Sequence, residues 1–452
     1  MDILLCIGAY SERKEVMKME SVWWENCERT ELGTLRSDLK VDVLIIGGGM
    51  AGILCAHRLK AAGVDCAVVE AGRIFGMTTK NTTAKITSCH GLIYDKMIKM
   101  RGVDAARGYL MSQNAACREF ARLCRDVNCD YETRDSYVYS RNDREKLERE
   151  VRAIERLGGS AELCEITELP IKTAGGVRVH DQAQFNPLKL GYKIAKDLPI
   201  YENTRVTQIL PGRVKTEHAE IRCEKIIVAT HFPVLNRHGS YFLKMYQHRS
   251  YVLAVENAQK LHGMYVDEDE HGMSFRSYGE VLLLGGGAHR TGKHGGSYAE
   301  LERFSRSYYP TAKITNRWAA QDCMTLDGVP YIGQYSLSTP SIYVATGFNK
   351  WGMSSSMVSA MILSDMVMGR PNEYDCVYSP SRSMLTPQLA VNLFESVVGL
   401  LSPTVPRCSH LGCALKYNPA EHTWDCSCHG SRFSSSGEII DDPANKDIDI
   451  DR

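Results

Sequence analysis

Apolar positions along the chain follow two periods. Residues 41–46, VDVLII, are almost continuously apolar, as in a strand buried on both faces. Glycines follow at once, then a helical stretch to about Ala62, then a second short run, DCAVVEA, and the order predicts one βαβ unit. Two helical segments come next. The second, NDREKLEREVRAIERLGG, sets Leu147, Val151 and Ile154 on one face, with Asn142 or Asp143 as its cap and Gly158 as its stop. KIIVATH (225–231) and EVLLLGGG (280–287) read as strands, and SIYVATG (341–347) as a strand leading into a helix to about Met368. RPNEYDCVYSPSR then reads as a linker, while residues 1–40 show no clear period. No internal repeat or low-complexity tract is present.

The glycines after the first strand are Gly47, Gly49 and Gly52, a GxGxxG, with Glu70 at the end of the second strand. In that context the first glycine permits a tight turn, the second lets backbone approach a pyrophosphate, and the third lets helix and strand pack closely. The helix N-terminus offers free N–H groups to phosphates, and Glu70 can accept from ribose hydroxyls. The fingerprint does not distinguish NAD from FAD.

At 452 residues two or three domains are expected. Formal net charge is zero, so nothing points to nucleic acid or to an anionic membrane surface. No apolar run reaches about 18 residues, so no transmembrane segment is expected. The start, MDILLCIGAYSERKEV, lacks the marks of a signal peptide; a cytoplasmic location is expected, with Met17 or Met19 as alternative starts. Of sixteen cysteines, twelve are scattered and read as small buried hydrophobes.

The last four cluster in CSHLGCALKYNPAEHTWDCSCHG, residues 408–430. Zinc knuckles usually space their ligands two to four apart, whereas one residue separates Cys408 from His410. Disulfides alone leave the histidines unexplained. A Rieske 2Fe–2S centre, in which two histidines replace two cysteines on one iron, uses Cys408, His410, Cys426 and His429 as ligands. CSHLGC and CSCHGS resemble the Rieske proteins of cytochrome bc complexes. The resemblance implies a disulfide between Cys413 and Cys428, although a reducing cytosol disfavours one. It also implies a hydroxyl donor to a bridging sulfide at Ser431, and places Phe433 where many relatives carry a tyrosine that donates to a ligand sulfur. The tail is short for such a domain, so it is expected to pack on the rest of the chain, with Val397–Leu401 helping to anchor it.

Residues 41–370 carry a second resemblance. VEAGRIFGMTTKNTTAKI, IIVATH and VATGFNKWGMSSSM are similar to FAD-dependent oxidoreductases of the D-amino-acid oxidase type, which include glycine and sarcosine oxidases. The resemblance implies that Thr78, Thr79, Thr82 and Lys85 lie along the pyrophosphate and flavin. It implies a backbone contact to adenosine at Val206, and a helix after Gly347 that aims its N-terminus at the flavin. Some sarcosine oxidases attach flavin through a cysteine near the position of Cys323; here an ordinary buried thiol is expected. Lys350 is a candidate beside the flavin. Arg249, Arg276, His289 and Arg290 are candidates to hold a substrate carboxylate, against the alternative that each is structurally paired.

The expected architecture is an α/β FAD-binding Rossmann-like domain with an inserted α+β substrate domain, then a small all-β Rieske-type module. The expected bounds are a lead-in at 1–40, an oxidoreductase domain at 41–385, and a linker with a truncated Rieske module at 386–452. Within the oxidoreductase domain, FAD-binding segments fall at about 41–100, 170–235 and 322–370, and substrate segments at about 101–169 and 236–321. The expected cofactors are FAD and a 2Fe–2S cluster. The expected function is a dehydrogenase for a small amine or amino acid, with Lys350, Arg249 and Arg276 as catalytic candidates and an electron acceptor the sequence does not name. The alternatives are an electron-transfer protein reduced by NAD(P)H or a protein partner, and a redox sensor.

Overall fold

The fold is drawn from a computed structural model that describes residues 17–25, 27–235, 238–293, 295–403 and 406–450. The first sixteen residues of the lead-in lie outside the described residues.

The apolar run at 41–46 becomes the strand Leu39–Ile46 at the centre of an eight-stranded sheet. Parallel neighbours flank it, Cys66–Val69 and Ile200–Tyr201 on one side, Glu220–Val228 and Ile342–Thr346 on the other. Tyr331–Gln334 closes one edge antiparallel. Leu44, Ile45 and Val68 are fully buried, as both-face burial of a parallel sheet requires. Helices Met50–Ala61 and Gly352–Val367 pack together on this layer.

The second sheet has nine strands and is mostly antiparallel. Its spine pairs Met245–Glu256 with Lys313–Thr325 from Met245↔Thr325 to Glu256↔Lys313, with a bulge at Ala254/Val255. Val281–Arg290, Ser274–Tyr278, Met264–Asp267, Glu132–Ser140, Gly175–Gln184 and Lys85–Ile86 continue it. The expected helix at 142–158 is Arg144–Arg156, capped by Asp143, which accepts from the Lys146 amide at 2.8 Å, and followed by Gly158 at φ 84°. Its Glu150 is buried and accepts from the Tyr94 and Asp95 amides at 2.8 and 2.9 Å, satisfying the start of the long helix Ile93–Cys124.

The third sheet is a four-stranded antiparallel meander, Leu415–Asn418, Thr423–Cys426, Arg432–Ser434 and Ile439–Asp441. The helix Pro387–Leu401 precedes it.

Three expectations change. The stretch read as a linker is packed: Val377 and Tyr378 are buried, and the Tyr378 hydroxyl bonds Ser112 and Gln113. The lead-in contributes Trp23, fully buried, whose indole donates to the Thr82 carbonyl at 2.7 Å. Val397–Leu401 do not anchor the tail by their side chains; Val397 is 52% and Leu401 78% exposed. The helix is held instead by Asn392, which donates to the Leu243 carbonyl at 3.2 Å and accepts from Arg290 at 3.0 Å, and by Gly399, which abuts the Cys428 sulfur. Among the described residues no helix is long and apolar enough to cross a membrane.

Candidate functional sites: a nucleotide cavity and a cysteine–histidine cluster

A cavity of 820 Å³ runs from the glycine turn to the start of helix Gly352–Val367. The glycines behave as their spacing implies. Gly47 has φ 110°, and a Cβ there would stand 2.5 Å from the Ala229 carbonyl oxygen; one on Gly52 would stand 2.0 Å from that of Gly47. Gly49 has room for a Cβ on its cavity side, the nearest atom being the Thr79 hydroxyl at 3.5 Å. The Glu70 carboxylate accepts from the Gly48 and Gly72 amides at 2.7 and 2.9 Å, which fixes it in the cavity wall with lone pairs to spare. Thr79 accepts from the Met50 amide at 3.1 Å, seating Thr78–Asn81 on the helix N-terminus. Thr78, Thr82, Lys85 and Val206 also line the cavity. Burial pushes Lys85 down to about 7, with Arg276 adding to the effect.

At the far end the wall is Asn349, Lys350 and Trp351, while Gly347 turns the chain at φ 71° against Thr325. Gly347 itself is not among the lining residues; Phe348 to Met353 are, and the helix begins at Gly352. Lys350 is lowered by burial and partly restored by Asp322, whose own carboxyl burial raises. Cys323 points away from the cavity: strand alternation turns its neighbours Asp322 and Met324 inward, and its thiol donates to Gln247 at 3.4 Å.

The carboxylate-clamp candidates are engaged elsewhere. Arg249 pairs with Glu421, its Nε donating at 2.8 Å. Arg276 is fully buried; its Nη1 donates to the Thr83 and Ala84 carbonyls at 2.7 and 2.8 Å, under the Trp23 ring. Arg290 donates to the Ser427 and Cys428 carbonyls, and His289 stacks on Tyr251. Neither arginine is among the cavity-lining residues; Arg249 is paired with Glu421, whereas Arg276 keeps Nε and Nη2 buried with no hydrogen-bond partner among the described residues. His231 was missed: at φ 64° it lines the cavity, its Nε2 3.2 Å from the Gln247 side-chain Oε1. Its signal was the last letter of IIVATH.

The cysteine–histidine stretch forms two matching loops. The Cys408 amide donates to the Cys413 carbonyl at 2.9 Å, as the Cys426 amide does to the Ser431 carbonyl, and Gly412 and Gly430 turn the loops at φ 77° and 91°. Cys408 and Cys426 are buried, and the His410 and His429 rings stand perpendicular with centroids 5.0 Å apart. All four ring nitrogens are buried and have no hydrogen-bond partner among the described residues. Burial pushes His410 down to about 4 and His429 to about 3, so both are neutral and have lone pairs to give. An imidazole gives one ring nitrogen to a metal, so two neutral histidines side by side next to two thiols offer two nitrogen ligands. Two thiols and two imidazoles, paired on two loops, fit a 2Fe–2S cluster. Cys413, Cys426 and Cys428 bring their sulfurs within 4.8 Å of one another, but a single ion there would leave the imidazoles unsatisfied. Cys413 and Cys428 are free thiols, so the clasp implied by resemblance is not closed, although the sulfurs are neighbours. The Ser431 hydroxyl reaches the Cys408 thiol, and Phe433 is fully buried behind the loops.

The two sites meet at a buried junction. Glu421 is shared by Arg249 and Arg432, and Arg432 also binds Asp425 and Asp441. Gln321 donates to the Gly430 carbonyl at 2.9 Å, and Phe232 and Phe242 lie against His410 and His429.

Comparison with known proteins agrees with this division. Residues 42–366 match the family model FAD dependent oxidoreductase (DAO), and residues 388–450 match the Rieske [2Fe-2S] domain. The chain is 33% identical to the putative Rieske 2Fe-2S iron-sulfur protein YhfW of Bacillus subtilis, over 96% of this chain and 98% of that protein. It is 24% identical to gamma-glutamylputrescine oxidoreductase of Escherichia coli, over 76% and 87%. The glycine oxidase of Geobacillus kaustophilus shares the fold, with a TM-score of 0.65 at 17% identity, covering 76% of this chain and 99% of that one. The chain belongs to the DAO family of FAD-dependent oxidoreductases and ends in a Rieske domain, so its cofactors are FAD and a 2Fe–2S cluster.

Proposed function

We propose that this protein dehydrogenates a small amine or amino acid and passes the two electrons one at a time through its own 2Fe–2S cluster to an external one-electron acceptor. FAD supplies a two-electron acceptor and the cluster a one-electron acceptor. The observation that carries the reading is the junction. Gln247 touches His231 in the cavity wall, and its side chain packs against Gly430, next to His429. One residue thus spans the two cofactor sites.

The chain's own groups suit such a reaction. The first amides of helix Gly352–Val367 put positive potential at one end of the cavity, beside Lys350, where negative charge can be accommodated. Burial raises Asp322 and lowers Lys350, and the charge of each opposes the effect on the other. His231 also lines the cavity, and a substrate amine that binds deprotonated needs no base. A relative named for gamma-glutamylputrescine and a fold neighbour named for glycine support an amine or amino-acid substrate. The glycines at 285–287 lie in a strand paired antiparallel on both sides, which is not a second nucleotide-binding βαβ unit.

Stopped-flow mixing of the full chain with amines, amino acids and NADH tests the reading. Bleaching of the flavin band by at least one amine or amino acid, followed by the cluster band, is the expected result. Reduction by NADH with none by any amine or hydroxy acid would end it.

A further inference from the structure

The last strand of the iron–sulfur module does more than complete its meander. Ile440, Asp441 and Asp442 line the same cavity as Gly47, Glu70 and Arg205. Asp441 is pinned from behind by Arg432 at 2.9 Å, and the Arg432↔Asp441 pairing fixes the strand's register. The charged groups that act on the Asp442 carboxyl, after burial itself, are Asp441, Arg205 and Glu70. Two residues on, the Ala444 amide donates to the Ser431 hydroxyl at 3.0 Å, and the Ser431 carbonyl accepts from the ligand Cys426. The segment that closes the cavity is therefore tied directly to a cluster loop. The module's own apolar core is small, chiefly Leu415, Phe433, Ala444 and the cysteines. A core of that size needs its metal to fold.

We propose that Ile440–Asp442 is a wall of the FAD site, with Asp442 a cofactor-binding residue donated by the iron–sulfur module, so that FAD is held tightly only while that module is folded around its cluster. The coupling is reciprocal: whatever factor the cluster adds to FAD affinity, FAD adds to cluster retention.

The test uses the full chain, stripped of FAD and titrated with it while flavin fluorescence is followed. A Cys426→Ser chain, lacking the cluster bands, should bind FAD about tenfold more weakly or worse. Asp442→Ala should keep the cluster's visible and EPR signatures yet bind FAD several-fold more weakly. In the parent, FAD should slow bleaching of the cluster by a chelator, and in Asp442→Ala that protection should shrink. The proposal is overturned if the cluster-free chain, folded by circular dichroism and eluting like the parent, binds FAD as the parent does. It is equally overturned if Asp442→Ala, cluster intact, shows an unchanged FAD dissociation constant. The second variant decides the matter should the first not fold.

Discussion

Glu421 shows how much one side chain carries at the junction. It is nearly buried and sits between two guanidinium groups, Arg249 and Arg432. Burial alone would raise its carboxyl, but the arginines win and hold it at about 2 against an ordinary value of 4.5. A depressed carboxyl contributes stability above its unfolded value and loses it as pH falls toward its folded one. The contribution is on the order of 3 kcal/mol at neutral pH and fades between about pH 4.5 and pH 2. Glu421→Gln should therefore lower the melting temperature at pH 7, and the gap to the parent should narrow as pH approaches 3. A gap that stays constant with pH would contradict the assignment. A second residue tunes potential rather than stability. Phe433 is buried among the cluster cysteines, where the resemblance to Rieske proteins implies a tyrosine hydroxyl would donate to a ligand sulfur, and a bond that favours the reduced cluster raises its potential. A net bond of about 1.4 kcal/mol is worth roughly 59 mV for one electron. Phe433→Tyr should titrate higher by up to that amount, and an unchanged potential would count against a donor role at this position.

At the scale of elements, Gly399 explains why an apolar helix sits with its larger side chains outward. A Cβ there would lie 2.4 Å from the Cys428 sulfur, so Pro387–Leu401 meets the cluster loops through its smallest residue. Gly399→Val should force the helix off those loops, costing about 1–3 kcal/mol by overpacking, and iron per chain should fall. Full iron content in a well-folded variant would refute this. The same helix marks the limit of what the sequence discloses. Local spacing disclosed the βαβ turn, the capped helix ending before Gly158 and the two ligand loops, because each is specified by residues within a few positions. Long-range choices were hidden. Arg249 looked like a carboxylate clamp, and its partner Glu421 lies 172 residues away. Val397–Leu401 looked like an anchor because they are apolar, whereas the contact depends on the absence of a side chain at Gly399. Trp23 lay in a stretch without period, and only the tertiary fold brings it to Thr82.

Over the whole molecule, the question is whether the iron–sulfur module swings or stays docked. Electron transfer from a swinging module slows with solvent viscosity; transfer within a fixed pair does not. The junction argues for a fixed pair. Opening it would break the Arg249–Glu421 pair, the bonds from Arg290 to Ser427 and Cys428, the bond from Gln321 to Gly430, and the tie from Asn392 to Leu243. All of these contacts would be lost together, which favours the docked arrangement. It would also uncover the FAD cavity along Ile440–Asp442 and expose the His410 and His429 rings to water. Once flavin is reduced in a stopped-flow experiment, cluster reduction should be first order, with a rate constant independent of protein concentration and unaffected by added glycerol. Glu421→Ala should loosen the junction, slow that phase and make it sensitive to viscosity. A parent rate that falls in proportion to viscosity would mean that the module moves between positions, and that the junction is only one of its resting places.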